Sequence, residues 1–501
     1  MRDIILAYFY GTSNISDVFL IALTIPTVIF SIISKSISVG FIPLYTDIER
    51  NDGITAAEQY TNNIVNLVIV SSTIILVFGQ IFTENIVKLF ASGFEGETLD
   101  LTVAFTRITL VGVYFTGLIY VYSSYLQVKG IFVVPALIGL PSNLIIVGSI
   151  FISAYTNIYF LSLGSLIAAI LQFLFLLIYV YKIDYRYKIK LNFIDKNIKR
   201  MIVLASPAIL GASVTQINLL IDRTMASQIT EGGITALSYA STLSVVIIGI
   251  FVLSISSVIY PKIAKMSTEN NMEELKKVFS GAMNAVNILV LPVTVTCMIF
   301  AEPIIELMFG RGQFDSQAIA MTSSALFFYS IGIIGLSHRE ILSNTFYALQ
   351  DTKTPMINAA ISMIVNIILN IILAPFLGIS GLALASSISA LFCSILLLIN
   401  LRKKIGNMDL RNLFYSFIKI ILASTIMGIG SKFVYYSLFK YINLTFSLLI
   451  SVVFGTFIYL AITHFLKIKE VNTLVSNIEG KLKEIKTAKL FSKKINAIRK
   501  D

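Results

Sequence analysis

Charged side chains inside long apolar stretches are the residues of this sequence that could do chemistry. An ionisable group deep in hydrocarbon costs several kcal/mol unless it is paired or hydrated, so each such group marks a candidate site. Cationic side chains bind phosphate oxygens, and arginine does so through two hydrogen bonds at once. A hydrated cavity with cationic walls would therefore suit an anionic headgroup such as a diphosphate. The candidate substrate-binding residues are Arg2, Asp3, Asp17, Lys35, Arg107, Arg223 and Arg339.

Polar residues in apolar stretches also have two other interpretations besides phosphate binding. Arg2 with Asp3, or Asp222 with Arg223, could form ion pairs that hold helices together. A second group of residues, with one carboxylate plus amide and hydroxyl oxygens, would suit a hard cation such as Na⁺. Polar contacts between helices are the other explanation of the second group. This candidate cation site comprises Asp222, Asn366, Asn370 and Ser386.

Enzyme motifs are missing from the sequence. It has no phosphate-binding P-loop, no dinucleotide-binding glycine motif and no nucleophile elbow. Cys297 and Cys393 lie in apolar stretches, and His338 and His464 are far apart, so no metal-ligand spacing exists. We therefore expect no catalytic residues and no cofactor. Movement of a substrate would be passive, or coupled to Na⁺ or to the membrane potential.

The composition predicts an all-α integral membrane protein. Of the 501 residues, 56% are hydrophobic and only 13% are charged, whereas a soluble domain has about 25% charged residues. Apolar stretches recur that are long enough for the roughly 20 residues needed to cross a bilayer. They show no strict alternation, which favours spanning helices over a barrel. We expect about fourteen spans, the first of them short.

The loops alternate in charge, which predicts their sides of the membrane. The net charge is +11, and its basic residues collect in alternate loops rather than in a nucleic-acid-binding patch. By the positive-inside rule these loops are cytoplasmic, and both termini then lie inside. The chain after residue 467 forms a basic cytoplasmic tail, and its Leu and Ile residues would also suit an amphipathic helix on anionic lipid.

The two halves of the sequence resemble each other. Ser36–Pro43 matches Ser254–Pro261, and Phe82–Leu89 matches Phe300–Leu307, both at an offset of 218 residues. Each half holds six predicted spans, so the repeats are parallel, as in transporters whose two bundles flank a central cavity. The predicted organisation is an N-lobe at 1–184, a basic cytoplasmic linker at 185–198, a C-lobe at 199–402, two further spans at 403–467 and the tail at 468–501.

Several motifs stand out along the chain: Arg2-Asp3, Gly11–Asp17, Ile25-Pro26, Phe41–Pro43, Ser206–Gly211, Asp222-Arg223, Phe309–Asp315 and, most specific of all, Phe346–Pro355. Together they resemble the motifs of the MurJ/MviN family of lipid II flippases, in the MOP exporter superfamily. The resemblance covers nearly the whole chain. It departs from the family pattern in two places: Lys35 is displaced along span two, and Thr242 stands where a basic residue is usual in span eight. The family also begins further upstream of the Arg-Asp pair.

The resemblance implies a function and a fold. The fold would be two pseudo-symmetric six-helix lobes with a central cationic cavity, and two C-terminal helices forming a lipid groove. Arg2, Asp3 and Asp17 match charged cavity residues of the family. The substrate would be lipid II, an undecaprenyl-diphosphate-linked glycan, flipped across the bacterial plasma membrane by alternating access. Membrane lipids and wall-synthesis enzymes would be partners.

Three alternative functions remain open from the residues. The chain could flip another polyprenyl-diphosphate-linked glycan of capsule or teichuronic type, although the segment Phe346–Pro355 argues against this. It could be a cation-coupled multidrug exporter, whose site would favour aromatic and acidic groups over arginines. It could also be a membrane scaffold that recruits wall-synthesis enzymes, which would tolerate the loss of every cavity charge.

Overall fold

Every regular element in the described part of the chain is a helix. The computed structural model describes residues 1–466 and 468. Its α-helices are α1 Arg2–Tyr10, α2 Asn14–Asp52, α3 Ile54–Ile81, α4 Thr83–Phe90, α5 Gly96–Leu110, α6 Val113–Val128, α7 Val133–Leu137, α8 Gly139–Tyr155, α9 Phe160–Lys182, α10 Lys196–Ile229, α11 Gly233–Ile247, α12 Leu253–Thr268, α13 Met272–Ile299, α14 Ala301–Phe309, α15 Ser316–Ala348, α16 Lys353–Leu377, α17 Ile379–Ile405, α18 Leu410–Phe439 and α19 Leu444–Phe465. A π-helical turn, Ile248–Val252, joins α11 to α12.

Thirteen helical stretches in residues 1–466 are long and apolar enough to cross a membrane. Each of them corresponds to one predicted span. The first predicted span, which is α1, has no counterpart among the thirteen. With nine residues, α1 is about 14 Å long, since a helix rises about 1.5 Å per residue. It is therefore too short to cross a hydrocarbon core of about 30 Å. The predicted basic tail, 468–501, lies outside the described residues apart from Ile468.

The chain divides into two compact units. The first comprises Met1–Leu243, Ile304–Gly332 and Thr352–Cys393, and the second comprises Ser244–Pro303, Ile333–Asp351 and the chain from Ser394 onward. These units do not coincide with the predicted lobes, whose boundaries stay a prediction.

In the first unit, α2 is the central helix. It packs against α3, α5, α6 and α10. Its C-terminal half contributes Phe41 and Tyr45 to a buried aromatic cluster that also holds Tyr60, Tyr125 and Tyr185. Aromatic pairs of this kind add to the stability that burial alone provides.

In the second unit, α13 packs on α18, and α18 packs on α19. The Tyr459 hydroxyl donates to the Ile288 carbonyl at 2.8 Å, which ties α19 to α13. Asp351, in the segment Phe346–Pro355, forms an ion pair with Lys404 at 2.6 Å. That segment therefore fastens the end of α15 to the end of α17.

Candidate functional site

Asp17 joins the beginnings of two helices in the first unit. The residue is only 1% exposed. Its Oδ1 accepts from the Thr235 backbone N–H at 2.8 Å and from the Thr235 hydroxyl at 2.5 Å. Thr235 lies in the first turn of α11, where free backbone N–H groups and the helix dipole favour a negative charge. Asp17 therefore caps α11, a role that the sequence did not indicate.

The Asp17–Thr235 contact joins equivalent positions of the internal repeat. Asp17 and Thr235 are 218 residues apart, which is the offset of the repeated motifs. Beside them, the Asn14 N–H donates to Glu231 Oε1 at 3.1 Å. The beginnings of the two repeat-related helices, α2 and α11, therefore meet directly.

Backbone segments pack against each other without intervening side chains around this contact. The Gln313 N–H donates to the Tyr8 carbonyl at 2.9 Å. Gly11 (φ 57°) and Gly232 (φ 73°) have left-handed conformations that favour glycine. A side chain on Gly232 would also collide with the Thr12 carbonyl. The turn between α1 and α2 therefore packs directly against the turns before α11 and α15.

Arg223, on α10, is a buried arginine whose hydrogen-bonding capacity is only partly used. Its Nε and one terminal nitrogen are buried and have no hydrogen-bond partner in the described part of the chain. Asp17, Asp222, Tyr329 and Arg2 lie within electrostatic range of its guanidinium. A buried charged group with unused donors is costly, and an arginine retains its charge. Arg223 can therefore donate to an anionic group that enters this region.

Arg2 and Asp3 form the ion pair that the sequence left as an alternative. Arg2 bonds to Asp3 Oδ1 at 2.8 Å, and both side chains remain partly exposed. The buried Tyr239 lies within electrostatic range of both residues and of Asp17. Its hydroxyl has no hydrogen-bond partner in the part of the chain described. Arg2, Asp3, Asp17 and Arg223 therefore belong to one polar region of the first unit.

The four residues of the candidate cation site also lie together. Asn370 Nδ2 donates to Asp222 Oδ1 at 2.7 Å and to Asn366 Oδ1 at 3.1 Å. Asn366 Nδ2 donates to the Ser386 hydroxyl at 3.3 Å. Asn218 Nδ2 approaches the other Asp222 oxygen at 3.4 Å. These contacts equally fit the alternative in which polar residues hold α10, α16 and α17 together.

The cluster contains oxygen atoms of the kind that a hard cation such as Na⁺ prefers. The side-chain carbonyl oxygens of Asn370 and Asn218 are buried without a hydrogen-bond partner among the described residues. With Asp222 they offer neutral and anionic oxygen ligands, the kind that hard cations prefer. No group of three or more His, Cys, Asp or Glu residues that could hold a metal ion occurs in the described part of the chain.

The other three predicted substrate-binding residues are exposed. Lys35 is exposed on α2, about 27 Å along the helix from Asp17 at a rise of about 1.5 Å per residue. Arg107 is exposed on α5, its backbone carbonyl accepts from Gln80 at 2.7 Å, and Glu84 lies within electrostatic range. Arg339 is exposed on α15, in the second unit. The structure thus does not place Lys35 or Arg107 beside Arg223.

Three residues of these clusters were not predicted from the sequence. They are Thr235, Tyr239 and Asn218. Threonine and tyrosine are common in membrane helices, so their identity carried no signal. The Gly232-Gly233 pair before Thr235 was the available sign of a helix beginning there. Tyr239 follows Thr235 by one helical turn, which puts the two on one face.

Comparison with known proteins decides the family. The family model described as "Lipid II flippase MurJ" matches residues 6–465. The chain belongs to the lipid II flippase MurJ family. It is 26% identical over 413 residues to the "Lipid II flippase MurJ" of Burkholderia cenocepacia, covering 80% of each chain. It is 29% identical over 396 residues to a "Probable lipid II flippase MurJ" of Buchnera aphidicola subsp. Baizongia pistaciae, covering 78% of this chain and 77% of the relative.

Solved structures agree with this assignment. A MurJ structure in an inward closed conformation matches with a TM-score of 0.80 and 27% identity, covering 93% of this chain and 95% of the other. An inward-facing MATE transporter of the MOP superfamily matches with a TM-score of 0.71 at 16% identity, over 81% and 93% of the two chains, which shows the shared fold alone. The predicted family and fold class are confirmed. MurJ-family proteins are multi-pass proteins of the bacterial plasma membrane, and they move a lipid-linked glycan rather than catalyse a covalent change.

Proposed function

We propose that this chain moves lipid II from the inner to the outer leaflet of the plasma membrane. The observation that carries the proposal is Arg223, a buried cation with unused hydrogen-bond donors. It lies within electrostatic range of Arg2, which pairs with Asp3. The diphosphate of lipid II supplies the acceptor oxygens that such a guanidinium binds through two hydrogen bonds. The polyprenyl tail stays in lipid while the polar headgroup crosses through the protein.

The mechanism follows from the contacts around Asp17. By the positive-inside rule, the nearly uncharged turn between α1 and α2 lies on the outer side. The Asp17–Thr235 contact and the glycine-mediated backbone contacts then close the outer end of the site. Release of the headgroup outward requires them to separate. Alternating access therefore has a defined structural step, the breaking of the Asp17–Thr235 contact.

A bound Na⁺ at Asp222 would couple transport to the ion gradient. The carboxylate of Asp222 and the amide oxygens of Asn370 and Asn218 are the ligands we propose. Asp222 is adjacent in sequence to Arg223, so a cation there would change the field at the proposed phosphate-binding group. The membrane potential is the alternative driving force.

Topology and partners complete the proposal. We place both termini in the cytoplasm, because the basic loops lie on that side. Wall-synthesis enzymes that consume lipid II at the outer surface would be functional partners.

Complementation tests the proposal. A bacterium depleted of its own MurJ-family flippase would express this chain, the variants Arg223→Gln, Arg2→Ala and Asp3→Ala, and the control Lys88→Gln. Lys88 forms a solvent-exposed ion pair on α4, and exposed pairs of this kind contribute little to stability. We expect growth with the unsubstituted chain and the control, and none with the three variants despite normal membrane levels.

Each other outcome has a meaning. Full growth with Arg223→Gln would refute the assigned phosphate contact. Failure of the unsubstituted chain, with protein present in the membrane, would favour another polyprenyl-diphosphate-linked glycan as the substrate. Drug efflux without lipid transport would favour a multidrug exporter.

A further inference from the structure

The connection between α9 and α10 is a segment without helix or strand. Helix α9 ends at Lys182 and α10 begins at Lys196, so the last residues of the predicted linker, 185–198, are helical. Both helices are long and apolar enough to span a membrane. The segment 183–195, here called the linker, is therefore held where two spans leave the hydrocarbon.

Three asparagines of α3 fasten this linker. Asn63 donates to the Asn192 carbonyl at 3.0 Å and accepts from the Asn192 N–H at 2.8 Å. Asn62 accepts from the Lys188 N–H at 3.0 Å. Asn66 donates to the Lys190 carbonyl at 3.1 Å. Residues 188, 190 and 192 alternate along the chain, so one edge of the linker backbone is bound to α3. We call Asn62, Asn63 and Asn66 the asparagine clasp.

Tyr185 fixes the beginning of the linker. It is buried in the aromatic core of the first unit, and its hydroxyl donates to Asn62 Oδ1 at 2.7 Å. Burial raises the pKa of Tyr185, so the hydroxyl stays protonated and remains a donor. Because a buried tyrosine and three asparagines fix its backbone, the linker presents a defined surface.

That surface carries large apolar side chains that nothing in the described chain covers. Ile189 is 86% exposed, Phe193 63%, Ile194 91% and Leu191 46%. A soluble loop would not hold four such side chains in water. They continue the apolar surface that α9 and α10 present to lipid, as at Ile178 and Val203, both more than half exposed.

Cationic side chains surround these apolar residues. Between residues 182 and 200 the sequence has seven Lys or Arg and two Asp, a net charge of +5. Asp195 caps α10 by accepting from the Asn197 N–H. Two of the seven cations form ion pairs, Arg186 with Asp184 at 3.4 Å and Arg200 with Asp47 at 2.7 Å. The cationic residues are Lys182, Arg186, Lys188, Lys190, Lys196, Lys199 and Arg200.

We propose that the linker is a membrane-surface anchor that docks on anionic phospholipid of the inner leaflet. Ile189, Phe193 and Ile194 enter the boundary between headgroups and acyl chains, and the surrounding cations bind lipid phosphates. Apolar side chains among basic ones are the pattern of segments that lie in the membrane interface, and anionic headgroups attract such basic clusters. The docking does not depend on which substrate the protein carries.

A single tryptophan tests the anchor, because the chain contains none. Phe193→Trp in the full-length protein would be placed in nanodiscs of phosphatidylcholine containing phosphatidylglycerol, with and without brominated acyl chains. We expect blue-shifted emission that brominated lipid quenches by about half, since interfacial side chains reach roughly 5–10 Å into the headgroup boundary. Glu269→Trp, on the exposed polar turn after α12, is the control and should not be quenched.

The lipid composition and the clasp provide two further measurements. Trypsin should cut the linker at its Lys and Arg residues several-fold more slowly in nanodiscs with phosphatidylglycerol than in phosphatidylcholine alone. Asn63→Ala, added to the Phe193→Trp variant, should reduce the quenching of the introduced tryptophan. Solvent-exposed emission at position 193, unaffected by brominated lipid and equal to that of the control, would overturn the proposal. Quenching that is independent of phosphatidylglycerol would overturn its electrostatic part.

Discussion

The Asp17–Thr235 contact gives a quantitative test of how the outer end of the site is held closed. Thr235→Val removes the hydroxyl that donates to Asp17 Oδ1 at 2.5 Å and leaves the backbone donor at 2.8 Å. A hydrogen bond of this kind contributes about 1–3 kcal/mol. Valine keeps the shape of the side chain, so we expect the free energy of unfolding to fall by roughly that amount.

A double-mutant cycle isolates the contact. The variants Thr235→Val, Asp17→Ala and the double variant would be unfolded with SDS in mixed micelles. We expect a coupling energy of about 1 kcal/mol or more, because residues in direct contact do not act additively. Thr24→Val is the matched control, since its buried hydroxyl donates to the Leu20 carbonyl of its own helix at 2.7 Å.

The control should add independently to Asp17→Ala, to within about 0.5 kcal/mol. A coupling between Asp17 and Thr235 no larger than that limit would refute the capping contact. It would also remove the structural step proposed for outward release.

Three further predictions concern other parts of the chain. Gly232→Ala should strongly destabilise the protein, because φ is 73° and a side chain would meet Thr12, whereas Gly249→Ala, in open space, should change the melting temperature little. Na⁺ at 100 times its dissociation constant should raise the free energy of unfolding by about 2.7 kcal/mol relative to choline. Asp222→Asn should abolish this increase. Equal melting temperatures in the two salts would contradict the cation site. Tyr185→Phe should speed trypsin cleavage of the linker, since a lost neutral hydrogen bond costs about 1 kcal/mol, and an unchanged rate would show that the Asn62 bond does not fasten it.

Hydropathy predicted the spans well because a bilayer demands apolar stretches of a fixed length. It did not predict where those stretches are interrupted. One long apolar stretch divides into α3 and α4, and another divides into α13 and α14. A hydropathy pattern measures how long a segment stays apolar, whereas these breaks depend on single turns at residues such as Phe82 and Phe300, which are as apolar as their neighbours.

The candidate site was predictable where a charge stands in an apolar helix. Asp222 and Arg223 are predictable for that reason, and Asn366 and Asn370 because they lie one turn apart on one helix face. The role of Asp17 was not predictable, because its partner lies 218 residues away and is an ordinary threonine. Lys35 and Arg107 also stand among apolar residues, but rarity of charge does not show which way a side chain points.

Movement of lipid II by the purified protein tests the central claim most directly. Fluorescent lipid II would be reconstituted with the chain into liposomes, and its transfer between leaflets would be followed with a membrane-impermeant quencher. We predict transfer with the unsubstituted chain and with Lys88→Gln, and no more transfer with Arg223→Gln than in protein-free liposomes. Equal transfer by the Arg223→Gln variant, or no transfer by correctly folded unsubstituted protein under either an Na⁺ gradient or a membrane potential, would contradict the account.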